Sequence, residues 1–168
     1  MKPWAVVLFI GIGIAAVLLA VWYSKYKRRS LAVGMTVNRK GGFYQYAEIF
    51  LLRKVSIKDV WESLNQLIEA NAIRDCMKTA ELKGYQITVK HENIGYTWTA
   101  FIQEMEEPKE RPEVSVFRVM FPQYSVKNGT PETASMNRFL TEIEKLFLRL
   151  DPDTLVRSQR ANDTSTEN

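Results

Sequence analysis

The residue types that most often do chemistry in proteins are few and scattered in this 168-residue chain. His91 is its only histidine and Cys76 its only cysteine. A serine or cysteine nucleophile needs a base that a third group holds in place. The residues that follow His91, Glu-Asn, indicate a hairpin turn, where an exposed polar histidine is commoner than a catalytic base. Cys76 has no second cysteine with which to form a structural zinc site.

The densest group of carboxylates lies between two strand-like segments. Its members are Glu104, Glu106, Glu107 and Glu110. Lys109 and Arg111 are interleaved with them in a proline-bounded stretch, which is typical of a solvated loop rather than of acid–base machinery. No glycine motif has the spacing of a phosphate-binding loop. We therefore expect that the protein is not an enzyme and that it has no catalytic residue, cofactor or metal site.

Large aromatic side chains are the other chemical feature of the sequence. Five of them fall on predicted strands and a helix: Tyr44, Tyr46, Trp61, Tyr96 and Trp98. They could line a cavity between a sheet and a helix, and such a cavity would suit a small apolar ligand. Ordinary packing in a hydrophobic core explains the same pattern. The five residues form a candidate ligand cavity.

The spacing of apolar residues predicts the elements that would position these side chains. The predicted strands are residues 43–54, 85–90, 95–105 and 113–121. Ser56-x-x-Asp59 predicts a capped helix start, and residues 72–82 either continue that helix or form another. Thr130 and Pro131 predict the N-cap and first residue of a final helix. The order β-α-β-β-β-α predicts an α+β domain, in which helices pack on a four-stranded antiparallel sheet.

An apolar run without any charged residue occupies residues 4–23. A helix of that length would span roughly 30 Å, the thickness of the hydrocarbon core of a bilayer. A cleaved signal peptide is the alternative, but the run is long and a basic segment follows it instead of a cleavage site. We therefore expect one N-terminal transmembrane helix. The predicted membrane-interface residues are Trp4, Trp22, Tyr23, Lys25, Tyr26, Lys27, Arg28 and Arg29.

The distribution of basic residues predicts the orientation of this span. Six Lys and Arg residues follow it up to residue 43, and one precedes it. This asymmetry predicts an outside N-terminus and a cytoplasmic domain, and the single cysteine is normal for a reducing compartment. From residue 30 onward there are 18 basic and 19 acidic residues, so no nucleic-acid-binding face is expected. The basic flank is a topology signal, a contact for anionic lipid headgroups, or both.

The predicted organisation has five parts. These are an N-terminal flank at 1–3, a transmembrane helix at 4–23, a basic juxtamembrane linker at 24–42, the α+β domain at 43–157 and a disordered tail at 158–168. Gly11 and Ala15, like Ala16 and Ala20, are small residues four positions apart. Such pairs favour weak self-association of a transmembrane helix.

The function expected from these features is a single-pass, membrane-anchored protein whose cytoplasmic domain binds another protein as an adaptor. The absence of a chemical motif and the nearly neutral domain favour this interpretation. The alternative is a membrane-tethered binder of a small apolar or lipid-like ligand, held in a cavity between the sheet and the C-terminal helix. The two differ in whether the aromatic residues are packed together or line an open space.

Overall fold

The computed structural model describes residues 39–70, 72–73, 75–106 and 113–160. A short 3-10 helix, Phe43–Gln45, precedes the first strand. The strands are β1 Tyr46–Arg53, β2 Thr79–Lys83, β3 Gln86–Asn93, β4 Tyr96–Met105, β5 Val114–Tyr124, β6 Val126–Lys127, β7 Thr130–Pro131 and β8 Leu155–Arg160. The helices are α1 Ile57–Glu69 and α2 Thr133–Leu150. Six strands form one antiparallel sheet in the order β2-β3-β4-β5-β1-β8, while β6 and β7 pair with each other.

Local sequence fixes where each helix begins. The Ser56 hydroxyl accepts a hydrogen bond from the Asp59 amide at 3.3 Å, and the Asp59 carboxylate accepts one from the Ser56 amide at 2.8 Å. This capping box confirms the predicted start of α1. The start of α2 differs from the prediction, because the N-cap is Glu132. Its carboxylate accepts a hydrogen bond from the Ser135 amide at 3.1 Å.

A single hydrophobic core lies between the two helices and one face of the sheet, which we call the inner face. The ring of Phe147 on α2 lies 4.6 Å from that of Phe50 and 5.3 Å from that of Phe117, measured between centroids. Trp98 on β4 lies 5.2 Å from Phe139 of α2 and is 3% exposed. These ring contacts join the centre of the sheet to the longer helix.

The predicted four-stranded sheet is wrong, because β2 and β8 extend it to six strands. The sequence of β2, Thr-Ala-Glu-Leu-Lys, is rich in helix formers, and the prediction placed it in a helical segment. Its pairing with β3 overrides that local preference. The β8 sequence, Leu-Val-Arg-Ser-Gln-Arg, has only two apolar residues and lies at a sheet edge. Its last three residues fall in the predicted tail.

The prediction of a single-pass membrane protein with a cytoplasmic domain also requires correction. Among the described residues, no helix is long and apolar enough to cross a membrane. The longer helix, α2, has 18 residues but includes five charged ones, and charged groups are costly in hydrocarbon. The predicted span at 4–23 and its interface residues lie outside the described part of the chain. These are Trp4, Trp22, Tyr23, Lys25, Tyr26, Lys27, Arg28 and Arg29.

The packing of Trp98 generates a test of the core. We expect Trp98→Ala to lower the free energy of unfolding by about 3–5 kcal/mol, because it removes a large buried ring. Urea unfolding of both proteins measures this difference. Tyr85→Ala is the control, because Tyr85 is 73% exposed. A Trp98→Ala effect as small as that of the control would contradict a tightly packed core.

Candidate functional site

The face of the sheet turned away from the helices, which we call the outer face, carries an unusual number of apolar residues. Side chains alternate between the two faces along each strand, so these residues cannot reach the core. Five half-buried apolar side chains belong to this group: Ile49, Leu51, Phe101, Val116 and Met120. None of the five belongs to the core cluster or packs against it. Both described helices lie on the inner face and leave the outer face uncovered.

Strand registers align the apolar residues of the outer face into a row. Leu51 pairs with Leu155 on one side and with Val116 on the other, and Val116 pairs with Met105. Directly opposite side chains in a sheet have Cβ atoms about 5 Å apart, so these four residues are side-chain neighbours in a line across four strands. Leu155 is 55% exposed and Met105 is 37% exposed. We call Leu155, Leu51, Val116 and Met105 the apolar row.

A groove of about 260 Å³ lies at the β8 end of the apolar row. Leu51, Arg53, Val114 and Leu155 contribute to its walls. Its volume suits one large apolar side chain of a partner better than a whole small-molecule ligand, which usually needs several hundred Å³. The groove therefore adds a place for a single anchoring residue to the apolar row.

The turn that leads from α2 into β8 holds the wall of this groove. The Asp151 carboxylate accepts hydrogen bonds from the amides of Arg53 and Asp153, both at 2.9 Å. The Thr154 hydroxyl donates to the Phe147 carbonyl at 3.1 Å. Asp151 and Thr154 are both buried. The wall of the groove is consequently held by hydrogen bonds within the domain itself.

Positive charge flanks the apolar row on its β8 side. Arg157 is exposed on β8 and pairs with Ile49, which in turn pairs with Arg118 of β5. The side chain of Arg53 is 72% exposed and lies 3.8 Å from Asp153. An ion pair this exposed contributes little to stability, so the Arg53 guanidinium stays available to other anions. The β8 side of the outer face thus combines apolar surface with arginine.

Two of the five aromatic residues proposed to line a cavity lie near each other. Trp98 is buried on the inner face, and its backbone pairs with Tyr124. The ring of Tyr124 contacts that of Tyr44 at 5.2 Å, edge to face. Both Tyr44 and Tyr124 pack against the hydrophobic core. Tyr44 is thus connected to Trp98 through Tyr124, by a ring contact on one side and by strand pairing on the other.

The other three residues of that group lie apart. Trp61 is half-buried on α1 and packs against the core, whereas Tyr46 is 39% exposed at the start of β1. The Tyr96 ring lies 5.8 Å from the amino group of Lys127. These three residues thus have surroundings that differ from one another. The candidate ligand cavity formed by the five residues stays a prediction.

A buried ion cluster joins β1, α2 and the segment that precedes β1 in the chain. The Arg39 guanidinium contacts both carboxylate oxygens of Glu48, at 2.5 and 3.0 Å, and Glu144 at 3.0 Å. It also donates to the side chains of Asn137 and Thr141, at 3.0 and 3.1 Å. The Arg39 side chain is 6% exposed. The sequence prediction counted Arg39 among the charges that flank a membrane span, because three of its four partners lie on α2, about a hundred residues along the chain.

His91 occupies a different place from the one predicted. The turn after β3 lies at Ile94 and Gly95, where a φ of 78° favours glycine, so His91 is inside the strand. Its ring stacks on Trp98 at 5.0 Å, and its Nε2 is buried without a hydrogen-bond partner among the described residues. Burial lowers the pKa of His91, and the negative charge of Glu132 opposes this shift. His91 is thus held neutral against an aromatic ring.

Two further side chains of types that could take part in chemistry, Ser135 and Cys76, make hydrogen bonds within the domain. The Ser135 hydroxyl accepts a hydrogen bond from Trp98 Nε1 at 2.8 Å and donates to the Glu132 carboxylate. Burial raises the pKa of the Cys76 thiol to about 11. A thiol with that pKa stays protonated near neutral pH and is a poor nucleophile. Ser135 therefore links the start of α2 to β4, while the Cys76 thiol donates to the Ile73 carbonyl at 3.4 Å within its own segment.

The Arg39 cluster predicts a large effect on stability. We expect Arg39→Met to lower the free energy of unfolding by about 3–5 kcal/mol, because it leaves two carboxylates buried without their cation. Arg53→Met is the matched control, since its ion pair is exposed and should be worth less than about 1 kcal/mol. Urea unfolding of the three proteins measures both. Equal effects of the two substitutions would contradict this role of Arg39.

His91 predicts a pH dependence of stability. Its folded-state pKa is below the ordinary value of 6.5, so protonation favours the unfolded chain. We expect stability to fall as the pH is lowered from 7.5 to 5.5, measured as the urea midpoint. His91→Phe keeps an aromatic ring on Trp98 and should make this decrease smaller. A decrease of the same size in the variant would assign the effect to other groups.

The apolar row and the β8 edge are candidate functional features that the sequence prediction missed. The only available signal was β1, whose two faces are both apolar, although the prediction interpreted this as a strand covered on both sides. The groove depends on the contact between β1 and β8, which no periodicity indicated. Comparisons of the chain with known protein families, curated proteins and solved structures found no match.

Proposed function

We propose that this chain contains a protein-interaction domain that binds its partner on the outer face of the sheet. The observation that carries the proposal is the apolar row, together with the neighbouring Phe101 and Met120, on a face that no described helix covers. Burying apolar surface there would favour association, because it removes that surface from water. Contiguous exposed apolar surface is typical of a binding site.

The rigidity of this surface supports the same proposal. Leu51, Val116 and Met105 lie on β1, β5 and β4, and each of these strands pairs with a neighbouring strand on both sides. A partner that docks on them does not have to order a loop first, and preorganised surfaces lose less entropy on binding. The turn held by Asp151 extends this order to the groove.

Ligand binding between the sheet and the C-terminal helix is supported less well. The space there is occupied by rings in contact, among them Phe50, Phe117 and Phe147. Trp98 and Phe139 continue this packing toward the start of α2. A lipid-like molecule would have to displace these side chains. The contacts therefore favour the protein-interaction domain over the ligand binder.

A photocrosslinking experiment tests the proposed surface. The amino acid p-benzoylphenylalanine is placed in the full chain at Leu51, at Val116 or, as a control, at Glu62 on the exposed side of α1. In the native host, we expect Leu51 and Val116 to crosslink to one and the same protein, and Glu62 to give none of that product. Irradiation followed by mass spectrometry identifies the product.

A second variant links the crosslink to the surface. Met120→Glu should reduce the yield at Val116 by about tenfold, because a charge in an apolar interface is poorly solvated. The urea midpoint of this variant checks that the domain remains folded. Crosslinks of equal yield from all three positions, or none from the outer face, would overturn the proposal.

A further inference from the structure

We infer that the partner adds an extended segment to the edge of β8 that pairs with no other strand in the described part of the chain, with an acidic side chain beside Arg157 and an apolar side chain in the groove at Leu155. This inference rests on the proposed function, because it names the partner's chemistry at the same surface. Three independent features of β8 support it: its backbone edge, its charge and its groove.

The backbone of β8 can accept another strand. One side of β8 pairs with β1 along its whole length, from Leu155 to Arg160. In an antiparallel ladder, every second residue directs its N–H and C=O groups to the other side. The sheet ends at β8, so in the described part of the chain these groups meet no neighbouring strand. Extended peptides bind to such edges through main-chain hydrogen bonds.

The opposite edge of the sheet lacks the features that would select a partner. Strand β2 carries Glu81 and Lys83, which pair with each other at 3.0 Å and neutralise the edge. The outer-face residues beside β2 are polar, including Thr88 and Lys90 of β3. An added strand would bury no apolar row there. The two edges are therefore not equivalent, and β8 is the one adjacent to the binding surface.

The charge of β8 indicates an acidic partner. Its sequence contains arginine and no acidic residue, and Arg157 is exposed. Arg157 pairs with Ile49 of β1, which pairs with Arg118 of β5, so a carboxylate beside Arg157 has a second arginine across the sheet. The acidic residues Asp153 and Glu113 lie at the groove, toward the Leu155 end of β8. A lysine or arginine at the same place in the partner would meet like charge. Such complementarity selects among partners more strongly than it raises affinity.

The groove sets the spacing of the partner's residues. Leu155 and Arg157 lie two positions apart on the same face of β8. An added strand likewise presents every second side chain to that face. A residue that fills the groove and a residue that pairs with Arg157 must therefore be separated by one position. The expected pattern is apolar-x-acidic, read in either chain direction.

Synthetic peptides test the inference on the full chain. The probe is acetyl-Thr-Thr-Leu-Thr-Glu-Thr-Val-Thr-amide with a fluorophore, which contains Leu-x-Glu and, in reverse, Val-x-Glu. Its Kd is measured by fluorescence anisotropy and compared with that of a peptide whose glutamate is lysine. We expect the acidic peptide to bind at least about tenfold more tightly, as opposite and like charges meet Arg157.

Charge reversal in the protein locates the contact. Arg157→Glu should reverse the preference, so that the lysine peptide binds more tightly than the glutamate peptide. Arg138→Glu is the matched control, since it changes the net charge equally on α2, where Arg138 is 50% exposed and pairs with Asp75. This control should leave the preference for the acidic peptide in place.

N-methylated peptides separate strand addition from other modes of docking. Methylation of alternate amides in one register should abolish binding, while methylation in the other register should leave it, because only one set of amides faces β8. Equal effects of both registers would overturn strand addition.

The inference would also be overturned if the acidic and basic peptides bound equally well or if neither bound. Pairing of two copies of the chain at β8 would overturn it as well.

The outcomes separate this inference from the proposed function. If the peptides fail but Leu51 and Val116 still crosslink to one protein, the outer face binds a partner of another shape. If both the peptides and the crosslinks fail, the protein-interaction function itself fails. Circular dichroism and urea unfolding of Arg157→Glu show that each comparison uses a folded domain.

Discussion

The described domain has two helices and a six-stranded sheet, and two helices are wide enough to cover only one face of that sheet. Six strands at a spacing of about 4.8 Å span about 24 Å, whereas two helices of about 10 Å each cover about 20 Å. Both helices contribute to one core, so they cover the inner face, and neither described helix covers the outer face. The composition of β1 is adapted to this arrangement. Phe50 and Leu52 point into the core, while Ile49 and Leu51 point to the other side and are only half-buried.

The position of α2 on the sheet depends on polar contacts as well as on the aromatic core. Near its middle, Glu144 shares the Arg39 guanidinium with Glu48 of β1. At its start, Ser135 accepts the indole proton of Trp98. Apolar packing tolerates small shifts of one element on another, but directional hydrogen bonds between buried groups do not. The two contacts therefore fix α2 along its length. Because α2 leads through the Asp151 turn into β8, they also fix the edge strand and the groove.

The sequence predicted correctly those elements that depend on residues close together in the chain. The capping box predicted the start of α1 correctly, and alternation located the central strands. The errors arose where tertiary structure overrides local preference. Strand β2 is built from helix formers and is held by its ladder with β3. Strand β8 is too polar to be recognised, because an edge strand needs few apolar residues. Arg39 lies about a hundred residues from Glu144, so its sequence neighbours suggested a membrane flank and not an ion cluster. The proposed docking surface was missed because it depends on β8.

An exposed edge beside an apolar surface is also a hazard, since it invites pairing with further copies of the same chain. The arginine on β8 acts against this. If a second copy paired antiparallel about Arg157, the two Arg157 side chains would lie directly opposite each other, and like charges in that position are destabilising. The same side chain would be satisfied by a carboxylate from a different strand. In the proposed interaction, Arg157 would therefore disfavour self-assembly and favour an acidic partner, and specificity would arise from the difference between these two affinities. The edge that β8 leaves in the described part of the chain would then be selective in the strand that it accepts.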